Sequence, residues 1–378
     1  MSYPLAEEHR ELLAMVSQVA QEQFAPRAAS DDAEATFPIE SFTQLGGLDL
    51  TGLPFPAAHG GGAQPYGLYL RVLEEVARAH VVVALTLSVH TLSAWAVAER
   101  ASNGLRDAVL PDLVAGRALG AYCLSEPGSG SDAAALVTRA DRDGDGWVLS
   151  GTKSWVTHAG VADGYVVFAR TAEHKTRGIT AFWVPADAEG LSFPAPERKM
   201  GMRGSPTGQV VLDGVRVSGA NLLGEEGSGF RLALTALDGG RLGVAAIAVG
   251  LGQCALDHAV AYAKERHQFG RPIGQFQGLA FMLADMATQV AQARALYRDA
   301  AARRDAGQEY AQLASMAKLA ATDMAMRVTT DAVQVFGGYG YTAEYPVERM
   351  MREAKVMQIF EGTNQIQRVV ISRGLLDG

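Results

Sequence analysis

Cysteine is scarce in this chain. Cys123 and Cys254 are the only two in 378 residues, so no disulfide framework holds it and no oxidising compartment is implied. Basic residues are outnumbered, 33 Lys and Arg against 41 Asp and Glu for a net charge of −8, and no basic block is present to attract nucleic acid. The histidines show no HxxxH spacing and the cysteines no CxxC, which leaves a metal site without support. A GxSxG elbow and a Walker lysine loop are both missing. The apolar run Val81 to Leu87 is short, and nothing reads as the ~20 residues of a membrane span. The opening MSYPLAEEHRELL places acidic residues where an export signal carries basic ones. A cytoplasmic protein with no membrane or nucleic-acid partner is expected.

What is present suffices for a large core. Hydrophobic residues make up 48% and charged residues 20%, a globular balance. The length corresponds to two or three domains of about 150 residues. Surface scaling gives a folded area of roughly 14,000 Å², about a quarter of what the unfolded chain exposes.

The pattern falls into three stretches. Residues 5 to about 29 carry Leu5, Leu12, Leu13, Val16, Val19, Ala20 and Phe24 at helical spacing. Further helical stretches follow at 38–45, 68–79, 81–101 and 105–114, around a turn-rich segment at 54–65. From about 119 to 222 the runs 149–156, 164–169, 179–184 and 209–217 are short, rich in β-branched and aromatic residues, and separated by turn residues. That spacing predicts antiparallel strands in a compact, barrel-like domain. Helical texture returns at 230–266, 275–306 and 310–336, with shorter pieces at 346–355 and 365–376. The fold class is α+β: an N-terminal helical domain (1–119), a middle antiparallel β-domain (120–224) and a C-terminal four-helix bundle (225–378).

Two motifs fail on inspection. Gly250-Leu251-Gly252-Gln253-Cys254-Ala255 matches a loose dinucleotide fingerprint, but the residues before it continue a helix where that motif needs a strand. Its glycines read instead as close helix packing. Asp141-Arg142-Asp143-Gly144-Asp145-Gly146 begins like a calcium loop. The twelfth position would be Thr152 rather than a bidentate Glu, so a hairpin turn is expected.

Three segments carry possible chemistry. In Tyr122–Asp132 (YCLSEPGSGSD), Gly128 and Gly130 would let a ligand approach the backbone, and the serines offer hydroxyls; alone, the stretch is equally a generic turn. In Lys153-Ser154-Trp155-Val156-Thr157-His158, strand alternation puts Trp155 and Thr157 on one face. An indole beside a hydroxyl suits a flat heterocycle, though a core tryptophan fits too. In Ile359–Arg368 (IFEGTNQIQR), Glu361 stands among apolar residues just before a helix. It is either a helix cap or a carboxylate whose pKa is raised toward neutrality for use as a base.

Together with Glu265-Arg266-His267-Gln268-Phe269-Gly270-Arg271 and Gln334-Val335-Phe336-Gly337-Gly338, these segments resemble the acyl-CoA dehydrogenase family. The match runs in order from about residue 5 to 376. Through Leu237-Asp238-Gly239-Gly240-Arg241-Leu242-Gly243 it is most similar to the short- and branched-chain members. The resemblance implies FAD bound without a Rossmann fingerprint. Tyr122, Cys123, Leu124, Ser125, Gly130 and Ser131 would hold its pyrophosphate and flavin edge. Trp155, Val156 and Thr157 would meet the isoalloxazine. Arg266, Phe269, Gln277, Gln334, Val335, Phe336, Gly337 and Gly338 would reach the FAD of a neighbouring subunit, so a homotetramer is implied, and Thr363 and Gln365 would close the site. Ser131, Asp238, Arg241 and Gly362 would contact the substrate.

The implied reaction is α,β-dehydrogenation of a short- or branched-chain acyl-CoA to the trans-2-enoyl thioester. Glu361 would take the α-proton, and a hydride would pass to FAD and on to an electron-transfer flavoprotein. The Glu361 N–H and a ribityl hydroxyl would form an oxyanion hole. Some branched-chain members carry the base at the position of Gly240, where glycine cannot serve; nitroalkane oxidase relatives have Asp at the position of Glu361. The sequence departs from the family pattern with Ser125 for Thr, Phe360 for Tyr and His158 for Asn, and the stretch 99–107 is shortened. A charged His158 would raise the flavin potential; the alternative is a tolerated surface exchange. Alternatives to the leading reading are a carrier-protein-linked acyl dehydrogenase, an oxygen-using acyl-CoA oxidase and an inactive flavin-binding scaffold.

Overall fold

A computed structural model describes residues 5–376. Helix α1 (Glu7–Val19) passes into a π turn at Ala20–Phe24, a 3-10 turn at Ala25–Arg27 and α2 (Ala28–Glu34). The single helix predicted to about residue 29 is thus broken near Phe24 and runs further than expected. Pro26 is the cause: it has no N–H to donate and its ring crowds the carbonyl of Glu22, so the turn before it widens. Then come α3 (Ile39–Gly47), α4 (Tyr66–Ala79), α5 (Val81–Arg100) and α6 (Asn103–Val114). Ser102 caps α6 by accepting from the Leu105 N–H.

Helix α5 corrects the expectation that nothing is long and apolar enough to span a membrane. It and α7 (Gly229–Glu265) both satisfy length and composition, but 89% and 78% of their most apolar windows are buried inside the fold. The α5 run is masked in the sequence by Thr86, Ser88, His90, Thr91 and Ser93. Its hydroxyls turn back on their own helix, Thr86 to the Val82 carbonyl and Ser93 to that of Val89, which lets polar residues enter an apolar core.

The middle sheet contains β1 (Gly120–Cys123), β2 (Arg139–Asp143), β3 (Gly146–Thr157), β4 (Gly164–Arg170), β5 (Ile179–Pro185), β6 (Leu191–Ser192) and β7 (Thr207–Ser218). Their order is β1-β4-β2-β3-β7-β6, with β5 on β4. Most pairs are antiparallel as expected, but β2 meets β4 in parallel at Arg139 and Arg170, and β1 lies parallel to β4. The whole β2–β3 hairpin intervenes between them, a crossover long enough to bring the chain back in the same direction. The calcium-like sequence is the turn of that hairpin, with Gly144 at φ +62°.

After α7 come a short arm, β8 (His267–Gln268) and β9 (Arg271–Pro272), then α8 (Gln277–Asp305), α9 (Ala311–Phe336), α10 (Val347–Met357) and α11 (Asn364–Leu376). One continuous core joins α4 and α5 to α7, α8 and α9. Helix α7 runs through its centre, and Gly250 and Gly252 are packing residues as expected. A β-carbon on Gly250 would lie 2.3 Å from the Glu74 carbonyl oxygen, and one on Gly252 would lie 2.8 Å from the Met324 sulfur. Gly250→Ala is therefore expected to push α4 off α7, lowering stability by roughly 1–3 kcal/mol. An unchanged urea midpoint would contradict this packing.

Candidate active site

The segment 124–132 and the end of β3 form one unit. Glu126 and Ser129 exchange backbone hydrogen bonds across Pro127-Gly128. The Glu126 carboxylate, buried, accepts from the N–H groups of Val137 and Thr138 and from the Lys153 ammonium at 2.8 Å. Burial opposes the Glu126 charge, but Lys153 and these donors hold the carboxyl below its usual range. The loop is tied again where the Ser154 N–H donates to the Ser125 carbonyl.

This clamp sets up the Trp155 bulge. The β3–β7 register slips between Lys153 and Val156, and Trp155 sits at φ +60°, where a bulky side chain is strained. The bulge interrupts the ladder, but burial still alternates through it: Ser154, Val156 and His158 are buried, while Trp155 is exposed and Thr157 half-buried. Trp155 is no core residue: its indole is 64% exposed, while Thr157 and Ser125 are half-buried. Gly128, Gly130 and Ser131 are exposed, and β-carbons on those glycines would meet nothing within 4 Å. An open indole plane flanked by hydroxyls and an uncrowded glycine-rich loop fits a planar cofactor with a phosphate tail. Cys123, Leu124 and Val156 are buried, leaving only their backbones for that purpose. Burial pushes the Cys123 thiol up to about 12.

His158 is neither a surface exchange nor a cation. It is fully buried at φ +70°, its Nδ1 bonded to the Gly120 carbonyl and its Nε2 unpartnered. Burial lowers its pKa to about 4, so it is neutral between pH 6 and 8 and does not supply a charge beside the flavin site. The Gly120 N–H in turn donates to His90, which brackets the start of β1 between two imidazoles.

A second cluster gathers around Glu361. Its backbone adopts φ +54° and Gly362 follows at φ +85°, a turn held from outside. The buried Gln367 amide donates to the carbonyls of Glu361 and Gly362, and the Lys318 ammonium donates to the Gly362 carbonyl and to Asn364 Oδ1, both at 2.8 Å. The Glu361 N–H takes no backbone acceptor within the turn. Glu361 does not cap α11; Thr363 does, accepting from the Ile366 N–H. Its carboxylate instead packs against Gly240 of α7, where an added β-carbon would lie 2.9 Å from Oε2, and that oxygen is buried without a partner. Burial raises the Glu361 pKa to about 7, with Arg241 and Lys318 pulling the other way. Burial lowers Lys318 to about 8 against the attraction of Glu361.

Arg241 is itself buried and donates to Asp238 and Ser315. Tyr122 of β1 donates to the Ala233 carbonyl on α7 and its phenol is raised, by burial first and by Glu361 second. That contact joins the two clusters. A cavity of about 400 Å³ opens beside them between α5 and α7, with Gly240 on its wall.

The remaining expected residues form a third, separate group. Tyr262 stacks on Phe336 at 4.1 Å and Arg266 lies over Tyr339, so the β8–β9 arm and the 334–338 loop share one surface. Arg266, Phe269, Gln277, Gln334, Gly337 and Gly338 are exposed there, Val335 and Phe336 buried. Gln365 is exposed at the start of α11. Among the described residues no group of His, Cys, Asp and Glu could hold a metal.

Sequence reasoning passed over Lys318 and Lys153. Lys318 had a signal: it occupies an inward position among Ala314, Ala317, Ala321, Thr322 and Ala325 on α9, all buried, where an ammonium needs a reason. Lys153 had none beyond standing on a strand. Breaking its pair with Glu126→Ala is expected to cost about 3–5 kcal/mol, measured by urea unfolding. Retained stability would show that the loop is held otherwise.

Comparison with known proteins gives a consistent answer. Family models described as acyl-CoA dehydrogenase N-terminal, middle and C-terminal domains match residues 6–117, 121–215 and 227–376. The chain is 45% identical over 376 residues to a probable acyl-CoA dehydrogenase, fadE25, of Mycobacterium leprae, covering 99% of this chain and 97% of that protein. Butyryl-CoA dehydrogenase from Megasphaera elsdenii superposes with a TM-score of 0.97 at 40% identity over the whole of both chains. A chain in a structure described as the electron transferring flavoprotein of Acidaminococcus fermentans superposes at 0.98 and 40% identity, again over both chains in full.

Proposed function

The chain belongs to the acyl-CoA dehydrogenase family and is an FAD-dependent oxidoreductase, and from that premise we propose that it removes the α-proton of a short-chain acyl-CoA with Glu361. The observation that carries this is the Glu361 carboxylate itself. It is half-buried, its Oε2 is shut away without a partner, and burial lifts it to about 7. A carboxylate left unsatisfied in a folded interior costs stability, and a base tuned to the working pH is what abstraction of a weakly acidic C–H proton requires. Gly240 leaves room for it. Arg241 and Lys318 keep a fraction ionised at neutral pH. The free Glu361 N–H would receive the thioester oxygen as negative charge develops.

FAD, when bound, supplies the hydride acceptor for the β-carbon. On this chain Trp155 would pack on its ring, with the hydroxyls of Thr157 and Ser125 and the exposed loop through Ser131 beside it. Asp238 and Arg241 would meet the substrate's pantetheine arm, and Thr363 and Gln365 would close the site. We place the domain boundaries near residues 119 and 224. The group of Arg266, Phe269 and Gln334–Gly338, exposed except for Val335 and Phe336, would complete a neighbour's cofactor site, in a tetramer. Phe269 is 93% exposed and Tyr341 88%, more than a lone chain gains from. The total surface of 16664 Å² also exceeds the roughly 14,000 Å² expected of a compact monomer of this mass. The likeness to butyryl-CoA dehydrogenase supports a short acyl group, and the electron-transferring flavoprotein structure supports such a protein as electron acceptor.

Anaerobic titration of the yellow protein with butyryl-CoA is expected to bleach the flavin. Glu361→Gln should retain FAD and show no bleaching; bleaching by that variant overturns the assignment. The base acts ionised, so the bleaching rate should rise with pH through a single ionisation near 7 and fall about tenfold per pH unit below it. A flat profile between pH 5 and 8 would remove Glu361 as the titrating base.

A further inference from the structure

The cavity beside Gly240 is not a hydrocarbon pocket. Its walls include Tyr66, Thr91 and Arg304 as well as Leu92 and Trp95. The Arg304 guanidinium, at the end of α8, lies over the Tyr66 ring at 3.3 Å and 5.7 Å from that of Tyr310. Its Nη1 is buried without a hydrogen-bond partner and stands 2.9 Å from where a β-carbon on Gly239 would be. Glycine at 239 is thus what lets the guanidinium into this wall. The Thr91 hydroxyl oxygen, on α5, is also buried and unpartnered.

The nearby carboxylates are committed elsewhere. Asp305 accepts from the N–H groups of Tyr66 and Gly67 at the start of α4, a capping role that suits a helix N-terminus. Asp238 accepts from Arg241. Among the described residues Arg304 makes no ion pair with a carboxylate, and Glu99, which also lines the cavity, is exposed. A half-buried cation stacked on tyrosine faces satisfies only part of its charge, and its buried Nη1 remains without an acceptor. A saturated acyl tail in this cavity would leave both Arg304 and Thr91 unpaired, whereas an anionic oxygen pair would satisfy them.

We propose that the preferred substrate is an acyl-CoA whose acyl group ends in a carboxylate, received by the Arg304 guanidinium on the wall of the α5–α7 cavity that Gly240 also lines. The inference rests on the reading of Glu361 as the α-proton base and adds the class of acyl group. Arg304 would determine specificity without taking part in proton transfer. Arg rather than Lys suits the role, because its planar fork matches a carboxylate bidentately.

The test compares glutaryl- and adipoyl-CoA with pentanoyl- and hexanoyl-CoA, matched carbon for carbon, in anaerobic flavin bleaching by the wild type, Arg304→Met and Arg304→Lys. The wild type should favour a carboxylated thioester over its matched neutral one by about tenfold or more in kcat/KM. Arg304→Met should abolish that preference while leaving the neutral substrates within a few-fold, and Arg304→Lys should restore part of it. Calorimetric binding of the same thioesters to Glu361→Gln, with and without Arg304→Met, gives a second readout that needs no turnover. The same preference should appear there as a difference in Kd. Three results overturn the proposal: neutral thioesters preferred by the wild type, an equal loss for all thioesters in Arg304→Met, which would place the guanidinium on the coenzyme arm, or a carboxylate preference that survives Arg304→Met. Bleaching by none of the four would instead count against the α-proton reading, and the proposal would fall with it.

Discussion

A carboxylate oxygen buried without a hydrogen-bond partner is the constraint around which the rest of this protein is arranged. Glu361 is confined by the bare flank of α7 at Gly240 and by a left-handed turn that Lys318 and Gln367 fix from the opposite side. Each of these devices has a cost: a non-glycine residue at φ +54°, a buried ammonium, a glycine within a long helix. The costs make sense together, because each shelters the carboxylate or aims it, and a sheltered carboxylate near neutrality is a base. The helical core of α4, α5, α8 and α9 around α7 provides the rigidity that holds this geometry.

The β-domain solves a different problem with the same means. A buried ion pair, Glu126 with Lys153, fixes a loop that would otherwise be a free turn, and the fixed loop holds β3 in a bulge that displays Trp155. Buried pairs of this kind contribute little net stability compared with apolar packing, but they specify one arrangement. Tyr122 then carries the connection across to α7 and the neighbourhood of Glu361. Strain, buried charge and exposed aromatic surface are therefore concentrated where the two halves of the site meet.

How much of this was legible in the sequence depends on the physical origin of each feature. Helix and strand locations followed from periodicity, and the glycines of α7 and the β2–β3 turn were assigned correctly from their surroundings. Glu361 stood out because an acid among apolar neighbours is unusual. The bulge at Trp155 was not legible, since it depends on a register slip between β3 and β7 and on a clamp from Glu126, residues distant in sequence. His158 was misread as a surface or charged residue because it was judged only as an exchange beside Thr157; it lies on the inward side with Ser154 and Val156, and burial makes it neutral. The apolar character of α5 was hidden by hydroxyls that bond within their own helix. Arg304 left no sequence signal, because an arginine near a helix C-terminus ordinarily faces solvent and favours the helix dipole.

The central claim concerns proton abstraction, which can be separated from electron transfer. An acyl-CoA with sulfur in place of the β-carbon has no β-hydrogen to lose, so any exchange of its α-protons in D2O reports the base alone. Exchange followed by proton NMR should occur with the wild-type protein, titrate with a group near pH 7 and vanish in Glu361→Gln. Exchange that persists in that variant, or that shows no dependence on pH between 5 and 8, would contradict the account.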